Sequence, residues 1–330
     1  MTRHILVTGA TGFLGGHILR ALLQNGYRVI CAARSRQNIK KLREIGHSGS
    51  VVDIQEKEAL QNCLECCDVV IHLAGQLGEH GIPYNLFYET NCALTEELLL
   101  LSDKCGVKQF IFCSTPGVYG FGQRLCKEDS PYAPRNDYEK TKVIAEQRIM
   151  GYCHNASVRY TILRPDFIYG PEDTRRVKMY KYIKNKKFIL TTNGKSYLHP
   201  TYVEDVTQAF LLCVGNAAAM NQVFNVAAAH DITVKEYLST IARCTDSKLI
   251  HVNMGYVFSA IMASAIDRIT QCCFDREGFV SKNKIDFLAM DHSSDIEKAV
   301  KTLEYRPQYD FERGFYETVR WCEQNNLFGP

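Results

Sequence analysis

The chain has 330 residues, of which 46% are hydrophobic and 23% are charged, and this is the composition of an ordinary soluble globular protein. Such a composition excludes an intrinsically disordered chain, and only 9 prolines exclude a collagen-like or linker-dominated one. The formal net charge of +3 is too small to predict a nucleic acid as the main partner.

The first residues, MTRHILVTGATG, have the pattern of a strand and a turn, so we expect no cleaved signal peptide. No run of about 20 apolar residues predicts a transmembrane helix. The best candidate, 255–266, is short and is interrupted by Ser259 and Ser264. We therefore expect a cytoplasmic protein, with a peripheral contact to a membrane surface left open.

Fourteen cysteines are scattered along the chain, and many of them fall inside apolar patterns where a free cysteine acts as a small hydrophobe. Cys63 and Cys66 form one CxxC, and Cys272 is adjacent to Cys273, but no second half follows at the spacing of a zinc site. We predict no metal site, and free thiols in the reducing cytosol.

Apolar runs alternate with helical patterns from the first residue, which is typical of a parallel sheet with crossover helices. A helix is predicted at Phe13–Gln24, where apolar residues recur every three or four positions. The predicted strands are Ile5–Thr8, Tyr27–Ala33, Asp68–Leu73, Gln109–Ser114, Val158–Leu163 and Val223–Val226. The pattern predicts an α/β fold: a Rossmann doubly wound parallel sheet with a smaller, mostly helical C-terminal substrate domain.

The pattern changes after residue 165. The segment Arg175–Lys187 has seven basic residues in thirteen, which predicts either a solvated helix face or a patch for an anionic substrate or a membrane surface. A strand at Tyr202–Asp205 is predicted to lead into a helix at Val206–Val214, with Asp205 as its N-cap.

We assign residues 1–170 to the sheet domain, which also receives about 199–230. The second domain then consists of 171–198 and 231–330.

A glycine-rich turn lies between the first strand and the first helix. Gly9, Gly12 and Gly15 allow a tight turn and a close approach of the backbone to a pyrophosphate, whose charge the helix N-terminus favours. Thr11, Phe13 and Leu14 complete this turn. The sequence therefore predicts a dinucleotide site.

The end of the second strand distinguishes NADP from NAD. An NAD site places an acidic residue there, whereas this chain has Ala33 followed by Arg34, Ser35 and Arg36. A guanidinium can pair with the 2′-phosphate of NADP that an acid would repel. We predict that the cofactor is NADP and that Arg34 binds its 2′-phosphate. In the alternative, NAD is bound and Arg34 stacks on the adenine.

Tyr138 and Lys142 lie four residues apart in a helical pattern, so both side chains share one face. A nearby ammonium favours the phenolate, which suits tyrosine to proton transfer with an alcohol or a carbonyl. The pairs Tyr180/Lys184 and Tyr182/Lys186 have the same spacing, but they belong to the basic segment and are predicted to lie at the surface. Tyr138 is distinguished by its place after the strand Gln109–Ser114 and its CSTPGVYG sequence.

These features occur in an order that resembles the extended short-chain dehydrogenases/reductases, which include nucleotide-sugar epimerases, dehydratases, dihydroflavonol reductases and 3β-hydroxysteroid dehydrogenases. The chain looks nearest to the dihydroflavonol reductase and hydroxysteroid dehydrogenase branch. The matching segments are TGATGFLG at 8–15, Asp53-Ile54, HLAG at 72–75, Asn91, Ser114-Thr115, Val118-Tyr119-Gly120, Leu163-Arg164-Pro165, Tyr169-Gly170-Pro171, YVEDV at 202–206, Phe224-Asn225-Val226 and Tyr305-Arg306-Pro307.

The resemblance implies roles for four catalytic residues. Thr115 would hydrogen-bond the reacting oxygen, and Tyr138 would be the general acid/base. Lys142 would hold the nicotinamide ribose and lower the pKa of Tyr138, while Asn91 would steady the site. The further cofactor contacts that the resemblance implies are Asp53, Ile54, Leu73, Ala74, Gly75, Ser114 and Pro165.

The resemblance also implies a homodimer, which would pair through the helices that contain Asn91 and Tyr138. Leu98–Leu101 suits such an interface, and packing in the core explains these leucines equally well.

Departures from the family pattern indicate the reaction. Pro116-Gly117 stand where the family's dehydratases place Asp-Glu, so a 4,6-dehydratase is not expected. Leu198 replaces a basic residue that holds a substrate diphosphate, and Lys282 or Lys284 offers a weak candidate for the second such residue. His199 either reaches the pocket or is structural.

Apolar residues between Tyr256 and Ile269 predict a pocket for a hydrophobic substrate, or alternatively the core of the small domain. We therefore predict an NADP-dependent oxidoreductase that interconverts a secondary alcohol and a ketone on a small, largely apolar substrate. A nucleotide-sugar epimerase with retained NAD is the alternative, and a non-catalytic dinucleotide sensor is the third hypothesis.

Overall fold

The computed structural model describes residues 3–34, 36–44, 50–78, 81–274 and 282–328. The strands are β1 (His4–Thr8), β2 (Arg28–Ala33), β3 (Val51–Asp53), β4 (Val69–His72), β5 (Gln109–Cys113), β6 (Gln123–Cys126), β7 (Arg159–Pro165), β8 (Ile168–Tyr169), β9 (Ile189–Leu190), β10 (Tyr197–Leu198), β11 (Thr201–Tyr202), β12 (Gln222–Val226), β13 (Ile232–Thr233), β14 (Ile250–His251) and β15 (His292–Ser294).

The helices are α1 (Phe13–Gln24), α2 (Arg36–Glu44), α3 (Lys57–Leu64), α4 (Tyr84–Tyr88), α5 (Leu94–Lys104), α6 (Asp137–Cys153), α7 (Val177–Lys184), α8 (Val203–Cys213), α9 (Val234–Cys244), α10 (Tyr256–Phe274), α11 (Lys282–Ala289), α12 (Glu297–Leu303) and α13 (Phe311–Gln324). Glu89–Ala93 forms a π-helical turn between α4 and α5. Short 3₁₀ turns occur at Pro116–Tyr119, Thr174–Arg176 and Ala217–Ala219. No helix in the described part of the chain is long and apolar enough to cross a membrane.

A seven-stranded parallel sheet forms the centre of the fold, with the strand order β12-β7-β5-β4-β1-β2-β3. The order reverses between β1 and β4, which opens a crevice at the carboxyl ends of these strands. One apolar cluster packs α1 and α8 on one face, and a second packs α3, α5 and α6 on the other. The predicted doubly wound α/β fold is therefore confirmed.

A second region of the structure covers part of the crevice at the carboxyl ends of the strands. Its four-stranded sheet has the order β13-β10-β15-β6, and α7, α9 and α13 share an apolar cluster that includes Tyr180, Tyr237 and Phe315. This region is helical for most of its length, as predicted, and it also contains the small sheet.

The predicted start of α8 was wrong. The helix begins at Val203, and Tyr202 is its N-cap, because β11 pairs with a β8 strand only two residues long. Asp205 therefore lies inside the first turn and does not cap the helix. Its carboxylate accepts the backbone N–H groups of Gln308 (2.7 Å) and Tyr309 (3.2 Å), so it fastens the C-terminal segment to α8.

The predicted surface position of Tyr180 was also wrong. Val177, Tyr180 and Ile183 recur every three residues on α7 and form its buried face. The Tyr180 ring is fully buried and packs edge-on against Phe315, with 4.9 Å between the ring centroids. The basic side chains of α7 lie on its other sides, where Lys184 pairs with Glu323.

The apolar residues of α10 have three different environments. Some line a pocket and some belong to a core, which are the two predicted alternatives, and others face solvent. Ala260 and Ala263 are buried against Ile285, as a core explanation requires. Val257 and Ile261 face solvent, with 68% and 64% of their surface exposed. The described cysteines are free thiols; the side chains of Cys272 and Cys273 lie outside the described residues.

Candidate active site

A cleft of about 650 Å³ opens at the carboxyl ends of β1, β2, β4, β5 and β7. Sixteen of the residues predicted for the site line it: Gly9, Thr11, Gly12, Phe13, Leu14, Gly15, Arg34, Ile54, Leu73, Ala74, Gly75, Ser114, Thr115, Tyr138, Lys142 and Pro165. Asp53 does not line the cleft; its carboxylate accepts the backbone N–H of Gln55 at 3.0 Å. Asn91 lies behind the cleft wall.

The glycine-rich turn has no room for side chains. A Cβ on Gly9, whose φ is +73°, would lie 2.7 Å from the backbone nitrogen of Ala74, and one on Gly15 would lie 2.1 Å from the Gly9 oxygen. The N-cap of α1 is Gly12, so no side chain caps the first N–H groups of the helix. This close backbone and the uncapped helix start fit the pyrophosphate of a dinucleotide.

A buried histidine couples this turn to the neighbouring helix. His72 Nδ1 lies 2.7 Å from the hydroxyl of Thr8, and Nε2 lies 2.9 Å from the hydroxyl of Thr95. Thr8 also accepts the N–H of Ala74, and Thr95 donates to the carbonyl of Asn91. Burial lowers the pKa of His72 to about 3, so the ring is neutral. Our sequence analysis included His72 only as part of HLAG and assigned it no role.

Two cations line the end of the cleft next to β2. The guanidinium of Arg34 donates to the Thr90 hydroxyl at 3.1 Å. Lys41 on α2, which the sequence analysis did not identify, donates to the carbonyl of Thr11 at 2.9 Å. Ser35 and the side chain of Arg36, both part of the predicted basic run, lie outside the described residues.

The start of α6 places Tyr138 in the cleft. Asn136 caps the helix by accepting the N–H of Glu139 (2.9 Å), and the Glu139 carboxylate accepts the N–H of Arg135 (2.6 Å). Glu139 also packs against Gly117, where an added Cβ would lie 2.8 Å from Glu139 Cγ. The acid Glu139 therefore lies beside Pro116-Gly117, where the family's dehydratases have Asp-Glu. Its carboxylate is bound to the backbone at the N-terminus of α6.

Tyr138 is half-buried, and the nearby hydroxyl of Thr115 favours its phenolate. Burial raises the pKa of Tyr138 above its ordinary value, and the same cause lowers the pKa of Lys142. Lys142 directs its ammonium at the carbonyl of Cys113, 2.8 Å away. The pKa of Tyr138 is therefore raised, whereas the resemblance implied that Lys142 would lower it, and the cation that favours the phenolate is Arg175.

Asn91 joins three parts of the site from the π-helical turn Glu89–Ala93. Its Oδ1 accepts the N–H of Gln76 at 2.7 Å, and its Nδ2 donates to the Gln76 carbonyl and to the Thr141 hydroxyl, both at 3.1 Å. Because Thr141 precedes Lys142 on α6, the amide fixes this helix against the segment that follows β4.

A second cavity of about 680 Å³ lies beside the cleft, and its lining is mainly apolar. Large side chains of this lining are Phe121, Phe167, Met179, Phe188, Ile189, Tyr237, Met262, Ile266, Phe287 and Leu288. Two of them, Met262 and Ile266, come from the predicted apolar stretch of α10. Lys187 and Lys284 also line this cavity.

Three chain segments contribute neighbouring residues to the cleft and to the cavity. On α6, Tyr138 lines the cleft and Glu139 lines the cavity; after β7, Ile168 lines the cleft and Phe167 the cavity. The third segment runs from Arg175 to α7. The cavity is therefore next to the Thr115–Tyr138 pair.

The other predicted substrate contacts lie elsewhere. Leu198 is fully buried, and Lys282 pairs with Asp286 at 2.8 Å. His199 is buried with Nε2 2.9 Å from the carbonyl of Ala228, and burial lowers its pKa to about 4. None of these three lines the cavity. His199 therefore fits the structural alternative.

The model of the NAD dependent epimerase/dehydratase family matches residues 5–227. The chain is 25% identical over 274 residues to N-acetyl-alpha-D-glucosaminyl-diphospho-ditrans,octacis-undecaprenol 4-epimerase of Escherichia coli O157:H7, covering 82% of this chain and 81% of that protein. It is 27% identical over 221 residues to a decarboxylating sterol-4-alpha-carboxylate 3-dehydrogenase of Dictyostelium discoideum, covering 64% and 67%.

Among solved structures, UDP-glucuronic acid 4-epimerase from Bacillus cereus in complex with NAD superposes with a TM-score of 0.78 at 22% identity, covering 98% of this chain and 99% of that chain. That likeness shows the fold. The chain belongs to the NAD dependent epimerase/dehydratase family, and it is an NAD(P)-dependent enzyme of the extended short-chain dehydrogenase/reductase type.

Proposed function

We propose that this protein is an NADP-dependent oxidoreductase that interconverts a secondary alcohol and a ketone on a small, largely apolar substrate. The observation that carries the proposal is the position of the apolar cavity next to the Thr115–Tyr138 pair. A substrate with an apolar body fills such a cavity favourably. Lys187 and Lys284, which also line the cavity, are cations that an anionic group of the substrate would meet there. The sterol-carboxylate dehydrogenase relative is named for an apolar substrate of this kind.

Three residues supply the proton chemistry. A bound nicotinamide would supply the acceptor or the donor of the hydride, and Lys142 would hold its ribose. In reduction, Tyr138 donates its phenolic proton to the ketone oxygen while the hydroxyl of Thr115 hydrogen-bonds that oxygen. The raised pKa of Tyr138 keeps the phenol protonated at neutral pH, which is the form that reduction needs. In oxidation the proton moves the other way, and the charge of Arg175 favours the phenolate.

The charges at the end of β2 support NADP as the cofactor. Arg34 and Lys41 both line this end of the cleft, and β2 ends in Ala33 where an NAD site has an acid. Cations at this place attract the 2′-phosphate of NADP.

We place the protein in the cytoplasm, and the free thiols of its described cysteines support a reducing compartment.

An epimerase that retains NAD is the second candidate. It is favoured by the epimerase names of the Escherichia coli relative and of the Bacillus cereus structure. An epimerase oxidises and re-reduces one substrate, so its dinucleotide stays bound and is recovered with the purified protein.

Cofactor exchange separates the two candidates. The dinucleotide that co-purifies is identified first, and NADPH and NADH are then titrated while the nicotinamide fluorescence is measured. Freely exchanging NADPH that binds at least about tenfold tighter than NADH supports the oxidoreductase. In the variant Arg34→Ser this preference should disappear, whereas Arg28→Ser, an exposed arginine of β2, should keep it. Tightly retained NAD would establish the epimerase instead.

A single-atom change tests the chemistry. Tyr138→Phe removes the proton donor, so turnover with any substrate should be lost while the Kd of NADPH stays within about twofold. Tyr316→Phe changes a tyrosine that is 60% exposed on α13 and serves as the matched control. Retained turnover in Tyr138→Phe would refute the assignment.

A further inference from the structure

We propose that Arg175 binds a carboxylate of the substrate close to the reacting carbon, so that the substrate is an apolar hydroxy acid or its keto acid. This inference rests on the proposed function and adds an anionic group to its substrate class. It also gives part of the basic segment Arg175–Lys187 a role that the sequence left open.

Arg175 lies on the wall of the catalytic cleft. It belongs to the 3₁₀ turn Thr174–Arg176 that follows β8, and it lines the same cleft as Thr115 and Tyr138. Its side chain is 48% exposed. The guanidinium is close enough for its charge to act on the Tyr138 phenol, where it favours the phenolate against the larger effect of burial. A group bound by Arg175 would therefore lie in the same cleft as the reacting oxygen.

One buried carboxylate holds two arginines at this turn. Asp173, whose side chain is 1% exposed, accepts Nε of Arg175 at 3.2 Å and Nη1 of Arg176 at 2.6 Å. The Arg176 guanidinium stacks on the ring of Phe167 at 4.2 Å and donates to the Ile168 carbonyl. One carboxylate neutralises one of the two cations, and the excess positive charge belongs to the more exposed Arg175.

The geometry leaves the outer edge of the Arg175 guanidinium for a ligand. Nε is held by Asp173, and among the described residues neither Nη atom has a hydrogen-bond acceptor. Two parallel N–H groups on a planar guanidinium match the two oxygens of a carboxylate. Glu172 also lines the cleft, but it pairs with Arg20 at 2.9 Å, so its charge is compensated.

The same chain segment connects this cation to the apolar cavity. Arg175 lines the cleft, and Met179, one turn further along α7, lines the cavity together with Phe167. A substrate with its reacting carbon at Tyr138 can therefore place its apolar body in the cavity and its carboxylate on Arg175.

The cofactor pyrophosphate is another anion that Arg175 could bind in this cleft. The experiment therefore has to distinguish binding of a substrate carboxylate from binding of the pyrophosphate. We propose to titrate octanoate and octanamide into protein saturated with NADPH, and to follow the nicotinamide fluorescence. The two probes have the same shape and differ in charge. The variants are Arg175→Gln and, as the matched control, Lys186→Gln, which changes an exposed cation of the same basic segment that does not line the cleft.

The expected result is that octanoate binds at least about tenfold tighter than octanamide to the unchanged protein and to Lys186→Gln. In Arg175→Gln the two probes should bind equally, with the Kd of NADPH within about twofold of the original. Equal binding of both probes by the unchanged protein would overturn the inference. So would a Kd for NADPH raised about tenfold in Arg175→Gln, because Arg175 would then hold the cofactor.

Turnover distinguishes this inference from the proposed function. With 3-hydroxyoctanoate and its methyl ester as substrates, kcat/KM should favour the acid in the unchanged protein, and Arg175→Gln should lose about tenfold with the acid only. Equal oxidation of acid and ester would refute the carboxylate contact while the oxidoreductase stands. Failure to oxidise either one, with octanoate still preferred to octanamide, would refute the oxidoreductase while the carboxylate contact stands.

Discussion

Lys142 donates a hydrogen bond to the carbonyl oxygen of Cys113, 2.8 Å away, and its ammonium lies 4.5 Å from the centroid of the Phe112 ring. This bond fastens the second turn of α6 to the carboxyl end of β5. Tyr138 lies one helical turn before Lys142, and Thr115 lies two residues after Cys113. One contact between the two elements therefore sets the distance between the phenol and the threonine hydroxyl.

Replacing Lys142 with Met should weaken both the alignment of the site and the hold on the cofactor. We expect the Kd of NADPH to rise about tenfold and turnover to fall by about 10²-fold, because a buried cation and its hydrogen bond are lost together. Fluorescence titration and steady-state kinetics measure the two effects. Lys140→Met changes an exposed lysine of the same helix that pairs with Asp137, and it should alter neither. An unchanged Kd in Lys142→Met would contradict the role of Lys142 at the nicotinamide ribose.

Replacing Asn91 with Ala should lower stability and turnover together. The Asn91 side chain makes three hydrogen bonds, so its loss leaves both backbone groups of Gln76 without their partner and removes the donor to the Thr141 hydroxyl. We expect the free energy of unfolding to fall by about 1–3 kcal/mol and kcat to fall more than KM rises. Urea unfolding and kinetics test this. Asn85→Ala, at an exposed position of α4, is the control, and equal loss in both variants would contradict the assigned role.

Asp166 should make stability fall as the pH rises toward neutrality. Burial raises the pKa of this carboxyl to about 7, although the hydroxyl of Ser294 donates to it at 2.7 Å. Between its ordinary pKa of 3.8 and 7, the folded state keeps a proton that the unfolded state releases. The free energy of unfolding should therefore decrease through this window by up to about 1.4 kcal/mol per pH unit from this group.

The variant Asp166→Asn has no such proton to release. Its melting temperature should change less between pH 5 and pH 7 than that of the unchanged protein, since the ionisation penalty of about 1.4 kcal/mol per pH unit is gone. Asp246→Asn, in an exposed loop, controls for the loss of a charge. Parallel pH profiles for the unchanged protein and Asp166→Asn would contradict the raised pKa.

Leu100 should contribute to a dimer interface. Of the four leucines at 98–101, Leu98 and Leu99 are buried in the core, whereas Leu100 is 44% exposed on α5. The resemblance to the family implies pairing through α5 and α6. A charge at the centre of an apolar interface is costly, so Leu100→Asp should convert a dimer into a monomer in sedimentation velocity. Leu125→Asp, at a position 46% exposed on β6, should stay a dimer. A monomer in the unchanged protein would refute the interface.

Local patterns in the sequence were enough to predict the central sheet and the cofactor turn. Six of the seven strands agree with the predicted ones within two residues at each end, because buried parallel strands are continuous apolar runs. The seventh, β3, is only three residues long and was not predicted. Gly9 and Gly15 were identified for the same kind of reason, since a backbone that packs this closely requires glycine. Tyr138 and Lys142 share a face because the helical repeat brings positions i and i+4 together.

The roles that depend on contacts between distant segments could not be predicted. Asp205 looks like a helix cap in the sequence, but the structure brings the 308–309 backbone to it from a hundred residues away. Tyr180 has a catalytic spacing to Lys184, yet α7 turns that ring into the core because its apolar residues recur every three positions. A charged or polar side chain can pair with any complementary group within its reach, and the sequence does not show which group that is.

The sequence by itself therefore determined the fold class, the glycine-rich turn and the shared helix face of Tyr138 and Lys142, because each of these depends on short-range geometry. Only the tertiary structure placed an apolar cavity beside Tyr138 and left the excess charge of Asp173, Arg175 and Arg176 on the cleft side. The physical reason is that burial and charge compensation are properties of neighbours in space. The three charged residues are close together in the sequence, but the fold decides which of them is buried. The lining of the cavity comes from α6, from the segment after β7, from α7 and from α10, which are spread over more than a hundred residues.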